Sequence, residues 1–296
     1  MSKRQNKYVS RTARRRKRRK GSARAVRELV CVAAAIVLVW CIADWLFTPG
    51  AAEARAGRSA TPSWVADGGL EYVEVPADVP QQIVRYPGFT VCFNREMHVP
   101  NYVVWELTAQ ETSGDVERVK NFFQDTDVDG CPTPNDYRKS GYTRGHMAPA
   151  ADMKWSAEAM RASNNLTNIC PQTAAMNSGA WSKLEENCRT WARRDSAIVI
   201  VCGPVLTDRM PLHIGKTRVA VPERFFKVVL APYADPPRGI GFVMPNGKVA
   251  GGVQSQAMSI DEVEAITGLD FFSALPDDIE NEVEKQNSYP LWQTLK

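Results

Sequence analysis

The sequence predicts an α+β domain preceded by one N-terminal transmembrane helix, and three observations support this fold class. Five short runs of apolar, β-branched and aromatic residues, each bounded by turn residues, are typical of strands. Residues 177–194 carry apolar side chains at spacings of three and four, as an amphipathic helix does. Residues 29–47 are apolar except for Asp44, and this length is enough to cross a bilayer as a helix.

The composition is that of a globular protein, with 44% of the 296 residues hydrophobic and 24% charged. It excludes collagen, low-complexity chains and multi-span membrane proteins. The net charge of +4 averages two unlike parts, because residues 1–28 hold 13 of the 37 Lys and Arg and one acidic residue, Glu28. The rest of the chain has 24 basic and 32 acidic residues, so its charge does not mark it as a nucleic-acid-binding domain.

The basic N-terminus and the apolar segment after it predict an uncleaved membrane anchor. Nineteen residues at about 1.5 Å each match the hydrocarbon thickness of a bilayer. A basic flank before the span predicts that the N-terminus stays in the cytoplasm and that the remainder is exported. A signal peptide cleaved near residues 51–54 is the second interpretation. A nuclear-localisation signal would not need the apolar span, and a transit peptide would be amphipathic. We expect a single-pass protein of the cytoplasmic membrane with a periplasmic or extracellular domain.

These features divide the chain into four parts. Residues 1–28 form the basic cytoplasmic tail, residues 29–47 the anchor, residues 48–70 a linker rich in Pro, Gly and small side chains, and residues 71–296 one domain. Five of the seven cysteines lie in the domain, and their spacing matches no metal-binding framework. Burial as small hydrophobic side chains explains them at least as well as oxidation, and their pairing stays open.

The domain reads as alternating strands and helices without internal repeats. The five predicted strands cover residues 88–94, 102–108, 197–202, 224–231 and 239–244. The first two are expected to form a hairpin whose turn contains Pro100 and Asn101. Helices are expected at 155–162 and 177–194, and a third from Ser259, where a capping box begins. Residues 269–296 alternate apolar and acidic side chains and are expected to pack back on the core.

The chain has three histidines, and one of them lies in a chemically suggestive context. His98 lies in the predicted turn, and His213 lies in a predicted loop without polar neighbours. His146 follows Arg144 and Gly145. Glycine allows close backbone approach, arginine can grip a phosphate through two hydrogen bonds, and histidine titrates near neutrality. These three residues suit phosphodiester hydrolysis, although a hydrogen-bonded loop histidine explains them as well.

Three polar side chains lie on one broad side of the predicted helix 177–194. At about 100° per residue, Glu185 lies about 80° and Arg189 about 120° around the helix from Asn177. An amide oxygen, a carboxylate and a guanidinium there could hold a hard cation and a phosphate. From spacing alone, an ordinary solvated helix face is the better explanation.

The motifs together resemble the DNA/RNA non-specific endonuclease family of ββα-metal nucleases. The resemblance rests on TRGHMAPAADMKWS at 143–156, LTNICPQTAAMNSGAWSKLEENCRTWA at 166–192 and AIVIVCGPVL at 197–206. It extends from the strand at 102–108 to residues 269–272, which is most of the domain. The resemblance implies the ββα-metal nuclease fold, with a central, mostly antiparallel sheet flanked by helices.

The resemblance also implies roles for the four residues singled out above. His146 would be the general base that takes a proton from the attacking water. Asn177 would be the one direct protein ligand of Mg²⁺, for which Mn²⁺ can substitute. Glu185 would hold metal-bound water, and Arg189 would lie beside the scissile phosphate.

Further positions carry supporting roles by resemblance. Arg144 would position phosphate or the loop, and Asn168 would be a supporting polar residue that shapes the site. Arg118 is the best match to an upstream arginine of the family, with Arg138 as the alternative. Thr143 departs from the pattern, because the family has an aspartate before its Arg-Gly-His. The departure puts turnover in question but not the fold.

The resemblance implies a Mg²⁺-dependent, sugar-non-specific endonuclease that cleaves DNA and RNA to 5′-phosphate products. The anchor implies that it is tethered to the membrane and exposed outside the cytoplasm. The alternative is a catalytically weak or inactive surface module of the same fold that binds nucleic acid. A phosphodiesterase acting on another substrate is a third, weaker interpretation. The sequence indicates no oligomeric state.

Overall fold

The computed structural model describes residues 69–206 and 211–293. The predicted cytoplasmic tail, the membrane anchor and nearly all of the predicted linker lie outside these ranges. Among the described residues, no helix combines the length and apolar character needed to span a membrane.

Within these two ranges the chain forms thirteen strands and five α-helices. The strands are β1 (Val73–Glu74), β2 (Gln82–Tyr86), β3 (Phe89–Asn94), β4 (Val99–Thr108), β5 (Thr143–His146), β6 (Ile169–Gln172), β7 (Ala197–Pro204), β8 (Leu212–Ile214), β9 (Val219–Val221), β10 (Arg224–Ala231), β11 (Arg238–Pro245), β12 (Ala257–Met258) and β13 (Asp270–Phe271). The helices are α1 (Ala157–Ser163), α2 (Ala174–Asn177), α3 (Ala180–Asp195), α4 (Ile260–Thr267) and α5 (Asp277–Glu284).

Seven strands form one antiparallel sheet in the order β12-β11-β10-β7-β4-β3-β2. Three two-stranded ribbons accompany it, β1 with β13, β5 with β6 and β8 with β9. The α+β class with a central antiparallel sheet is therefore confirmed.

The sheet separates two apolar layers. Along β7, Ile198 and Ile200 point into the layer that contains Trp181 and Leu184 of α3, whereas the alternate residue Val199 points into the layer that contains α4 and α5. The ribbon β5–β6 contributes to the α3 layer. Helix α3 and the ribbon are therefore held against one face of the sheet, and α4 and α5 cover the other.

The first hairpin forms as predicted, but its turn lies elsewhere. The turn falls at residues 95–98, and Pro100 lies inside β4. Cys92 pairs with Tyr102 and Phe93 pairs with Pro100, so Asn101 is an extra residue in a bulge. A bulge leaves a backbone N–H without a ladder partner, which is where a strand tolerates proline.

The helix predicted at 177–194 is interrupted. Helix α2 ends at Asn177, and α3 begins at Ala180 after Ser178 and Gly179. Gly179 has φ −105° and ψ −117°, and a Cβ there would collide with the carbonyl oxygen of Ala175. Asn177 therefore does not share a helix with Glu185, and the predicted common helix face is wrong.

The other predicted elements agree with the structure to within a few residues, whereas the short strands of the three ribbons were not predicted. Helix α1 begins two residues later than predicted, because the Ser156 hydroxyl caps it by accepting from two backbone N–H groups. The capping box at Ser259 is present. The C-terminal segment packs on the core through Phe271, Val283 and Trp292, which are all buried. The five cysteines of the described domain are buried and free.

Candidate active site

The candidate site is built on the ribbon β5–β6 and on the two helices that follow it in the chain. His146 at the end of β5 pairs with Ile169 at the start of β6. The indole Nε1 of Trp181 in α3 donates to the backbone carbonyl of His146 at 3.4 Å, which ties the helix to the strand. A Cβ at Gly145 would collide with the fully buried side chain of Gln172 across the ribbon, so this position requires glycine.

The His146 imidazole is held in one tautomer by Asn164. The two amide hydrogens of Asn164 are used, because Nδ2 donates to the carbonyls of Val119 at 2.8 Å and Asn121 at 2.9 Å. The amide oxygen Oδ1 therefore accepts from His146 Nε2, at 2.8 Å. Nε2 carries the proton, and Nδ1 keeps the lone pair that a base needs.

The environment keeps the imidazole neutral. Burial lowers the pKa of His146 to about 4, and the positive charge of Arg118 acts in the same direction. The hydrogen bond with Asn164 opposes this shift. The ring of Phe122 lies 5.4 Å from the imidazole, centroid to centroid. At neutral pH the side chain is therefore a free base.

The amide of Asn177 is oriented by Thr143. Asn177 Nδ2 donates to the Thr143 hydroxyl at 3.0 Å, and that hydroxyl donates to the backbone carbonyl of Gln172 at 2.8 Å. Because the amide nitrogen is engaged, Oδ1 is the Asn177 atom left for a cation. The Thr143 hydroxyl thus accepts the hydrogen bond from Asn177 that an aspartate carboxylate at position 143 could accept.

A buried ion pair anchors Arg189 beside these groups. Arg189 Nη1 lies 2.8 Å from Asp152 Oδ1. The indole Nε1 of Trp105 donates to the other Asp152 oxygen at 3.2 Å. The Asp152 carboxylate is almost fully buried, so it fixes the guanidinium of Arg189 while leaving the other donors of the fork for a further ligand.

Glu185 of α3 is a carboxylate with a raised pKa next to a buried lysine. Burial raises the pKa of Glu185 to about 7, and the positive charge of Lys227 is the strongest opposing influence. Lys227 is 1% exposed, and its Nζ lies 5.0 Å from the ring centroid of Trp105 and 4.6 Å from that of Trp181. This buried cation beneath the site favours the ionised form of Glu185.

Arg144 and Asn168 support the surrounding loops. Arg144 Nη2 donates to the Pro134 carbonyl at 3.3 Å, and its guanidinium lies 5.0 Å from the centre of the Phe122 ring. Asn168 is fully buried and exchanges two hydrogen bonds of 2.9 Å with the backbone of Ala148, directly after the His146–Met147 segment. These contacts place both side chains in the loops around His146, and their supporting functions stay predictions.

The structure distinguishes between the two candidates for the upstream arginine. Arg118 lies close enough to lower the pKa values of both His146 and Glu185. Arg138 instead lines a separate cavity of about 610 Å³ with Lys139 and Lys216. Arg118 therefore lies near His146 and Glu185, and its role as the upstream arginine stays a prediction.

His213 also lines that separate cavity. It lies in strand β8, and the expectation of a loop position was therefore wrong.

Three side chains of the site were not identified as functional from the sequence. Asp152 lies inside the first quoted motif and Asn164 lies two residues before the second, but neither carries a local pattern that assigns it a partner. Lys227 is a charged residue in the middle of an otherwise apolar strand, RFFKVVLA, and this was a usable signal. A buried lysine is rare without opposite charge nearby, and the carboxylates of Glu185 and Asp152 lie near enough to raise the pKa of Lys227.

Two antiparallel strands followed by a helix, with a neutral buried histidine on the first strand and an oriented amide before the helix, define a ββα-type site suited to phosphodiesters. The sequence matches the family model of the DNA/RNA non-specific endonucleases over residues 66–278. The chain belongs to this family.

Individual relatives agree with this assignment. The mitochondrial nuclease EXOG of Mus musculus is 35% identical over 211 residues, which cover 64% of this chain and 57% of that protein. Mitochondrial endonuclease G of Bos taurus is 31% identical over 234 residues, covering 74% and 78%. The crystal structure of the EndoG/EndoGI complex contains a chain that superposes with a TM-score of 0.65 at 28% identity, covering 74% of this chain and 95% of that one. This chain spans less than two-thirds of the length of the EXOG proteins that it matches.

Proposed function

We propose that this protein is a metal-dependent endonuclease that hydrolyses phosphodiester bonds of DNA and RNA, with His146 as its general base. One observation carries the proposal. The buried imidazole is neutral, and its Nε2 proton is fixed on Asn164 Oδ1, so that Nδ1 is a lone-pair acceptor beside a phosphate-binding set of side chains.

The proton transfer follows from this geometry. His146 Nδ1 accepts a proton from a water molecule, and the water oxygen attacks phosphorus. The bond between phosphorus and the 3′ oxygen breaks, and this oxygen leaves with the electron pair and gains a proton from solvent. The products carry a 5′-phosphate and a 3′-hydroxyl. General-base assistance of this kind is worth roughly 10²–10⁴ in rate.

The donor set of the site fits Mg²⁺. The amide oxygen of Asn177 is held in place by Thr143, and Glu185 contributes a carboxylate for metal-bound water. Mg²⁺ prefers oxygen ligands and keeps several waters, so one direct amide ligand is adequate. When bound, it stabilises negative charge on the phosphate and on the departing oxygen, and Mn²⁺ can take its place.

Arginine and lysine side chains bind the polyanion. Arg189 is fixed by Asp152, and Arg118 is exposed near His146, so both can donate to phosphate oxygens. Arg138 and Lys216 line the separate cavity and offer contacts for further phosphates of a bound nucleic-acid strand. Because the domain is acidic overall, binding depends on these local contacts and weakens with salt.

The test uses the full-length chain purified in mild detergent, with plasmid DNA and a structured RNA as substrates. The expected result is digestion of both in Mg²⁺, none in EDTA, and products whose 5′ ends carry phosphate. Asn177→Ala should raise the Mg²⁺ concentration for half-maximal activity by at least tenfold. Asn187→Ala, which removes an amide on helix α3 instead, should not. Binding of both substrates without cleavage would instead identify a non-catalytic nucleic-acid-binding module.

We also propose that residues 29–47 tether the protein to the cytoplasmic membrane, with the domain on the far side. The support is the 19-residue apolar stretch and the basic residues before it. Fractionation should place the protein in the membrane pellet. Protease added outside the cytoplasmic membrane should remove the domain, and a domain protected inside the cytoplasm would refute this topology.

A further inference from the structure

A group of acidic side chains lies on the face of the sheet opposite the candidate active site. Helices α4 and α5 pack on this face, and β13 connects them in the chain. Five of their carboxylates lie close together, and we call them the acidic cluster: Asp261, Glu264, Asp270, Glu280 and Glu284.

The acidic cluster is arranged around Glu284. One carboxylate oxygen each from Glu284, Asp261 and Glu264 lie within 4.8 Å of one another, and the same holds for Glu284 with Asp270 and Glu280. Two oxygens on opposite sides of one Ca²⁺, each at about 2.4 Å, are about 4.8 Å apart. Both trios are therefore compact enough for one Ca²⁺ to contact all three oxygens.

Glu284 itself lacks the partner that a buried carboxylate requires. The residue is 8% exposed, and its Oε1 is buried without a hydrogen bond. Burial raises the pKa of Glu284 to about 8, and the four charges that act on it most strongly are carboxylates, each of which also raises it. Burial likewise raises the pKa of Glu264 to about 7. A buried charge without a compensating partner is costly, and a bound cation would supply one.

We propose that the acidic cluster is a Ca²⁺-binding site centred on Glu284 that links α4, β13 and α5. The three carboxylates of each trio offer up to six oxygens, the lower end of the six to eight that Ca²⁺ takes, whereas Mg²⁺ demands a strict octahedron and retains water. One Glu264 oxygen is oriented by the backbone N–H of Phe271 at 2.8 Å, so part of the cluster is already fixed by β13. The site is independent of the nuclease chemistry.

The test measures Ca²⁺ binding and thermal unfolding of the full-length chain in mild detergent. Asn177→Ala serves as the background, so that the catalytic metal site does not contribute. Equilibrium dialysis with ⁴⁵Ca²⁺ should find about one Ca²⁺ per chain. At about 100 times the Kd, Ca²⁺ should raise Tm by roughly 5–10 °C relative to EDTA.

Two further variants decide between a site and a mere excess of charge. Glu284→Gln should abolish the bound Ca²⁺ and the Tm rise, and in EDTA at neutral pH it should be at least as stable as its background, because the cost of protonating this buried carboxyl is gone. Glu282→Gln, an exposed carboxylate on the same helix, should keep both. No bound Ca²⁺ at millimolar concentration in the Asn177→Ala background, or the same Ca²⁺ response in Glu284→Gln, would overturn the proposal.

Discussion

Replacing Asn164 tests whether this side chain positions the proposed base. In Asn164→Ala, His146 Nε2 loses its acceptor, so the proton can move to Nδ1 and the ring can turn over. The lost hydrogen bond is worth about 1–1.5 kcal/mol in selecting the tautomer, which is a factor of about 5–10. If the imidazole ring can also flip, about half of the molecules present the wrong nitrogen, which lowers kcat by about a further factor of two. We therefore expect kcat to fall about 10–20-fold while the substrate KM changes little.

The same change weakens the fold, and the magnitude follows from its other contacts. The carbonyls of Val119 and Asn121 lose their donor, each at a cost of about 1–3 kcal/mol. Total stability is about 5–15 kcal/mol for a domain, so activity must be measured well below Tm. Asn164→Asp disturbs the same carbonyls but keeps an acceptor for Nε2–H, and its charge raises the pKa of His146.

The assay combines kinetics with imidazole ¹⁵N spectra, which are tractable because the chain has three histidines. In the parent, His146 should show a protonated Nε2 and titrate well below pH 6.5. Asn164→Ala should give mixed tautomers, and Asn164→Asp should keep the tautomer with a raised pKa. Asn165→Ala is the neighbouring control. An unchanged kcat and an unchanged tautomer in Asn164→Ala would refute the positioning role.

Three further predictions concern the other side chains. Thr143→Val should raise the Mg²⁺ concentration for half-maximal activity about two- to fivefold, because the Asn177 amide loses its orienting acceptor. Thr143→Ser keeps a hydroxyl and should not raise it. An unchanged Mg²⁺ titration for Thr143→Val would count against an orienting role of Thr143. Lys227→Met removes the cation that opposes the raised pKa of Glu185 most strongly, so that pKa should rise further above about 7 and shift the pH profile of cleavage, which exposed Lys183→Met should not do. Because the pKa of Glu284 is raised by folding, its protonated form stabilises the fold, and this contribution is complete below about pH 4.5 and lost as pH rises through about 8. In EDTA, Tm should therefore fall over this pH range, and Glu284→Gln should flatten the profile.

The long strands of the central sheet were the most predictable part of the fold, because β-branched and apolar runs between turn residues have few alternatives, whereas the short β5–β6 ribbon of the site was missed. The predicted strand at 224–231 coincides with β10. The break between α2 and α3 was missed because apolar spacing continues across it. A glycine inside a helical pattern costs only about 1 kcal/mol, so Gly179 alone did not signal an interruption. Its cause is a tertiary one, since Asn177 is turned toward Thr143 on the ribbon.

The site was predictable only as far as its motifs are local. His146 and Arg144 lie within one short string, and the resemblance assigned them roles. The contact between His146 and Asn164 joins residues on different elements, and the pair Arg189–Asp152 crosses the space between α3 and the segment after β5. No periodicity encodes such pairs, because they depend on how the ribbon packs on the helix.

The central claim is that His146 acts as the base in phosphodiester hydrolysis. The most direct measurement compares the initial rate of plasmid DNA cleavage in saturating Mg²⁺ for the parent, His146→Ala and His98→Asn, each shown to be folded by its Tm. His98 lies in a turn with φ 60°, which asparagine tolerates. We expect His98→Asn to cleave at the parental rate and His146→Ala to be at least about 100-fold slower. A folded His146→Ala variant that cleaves as fast as the parent would contradict the account.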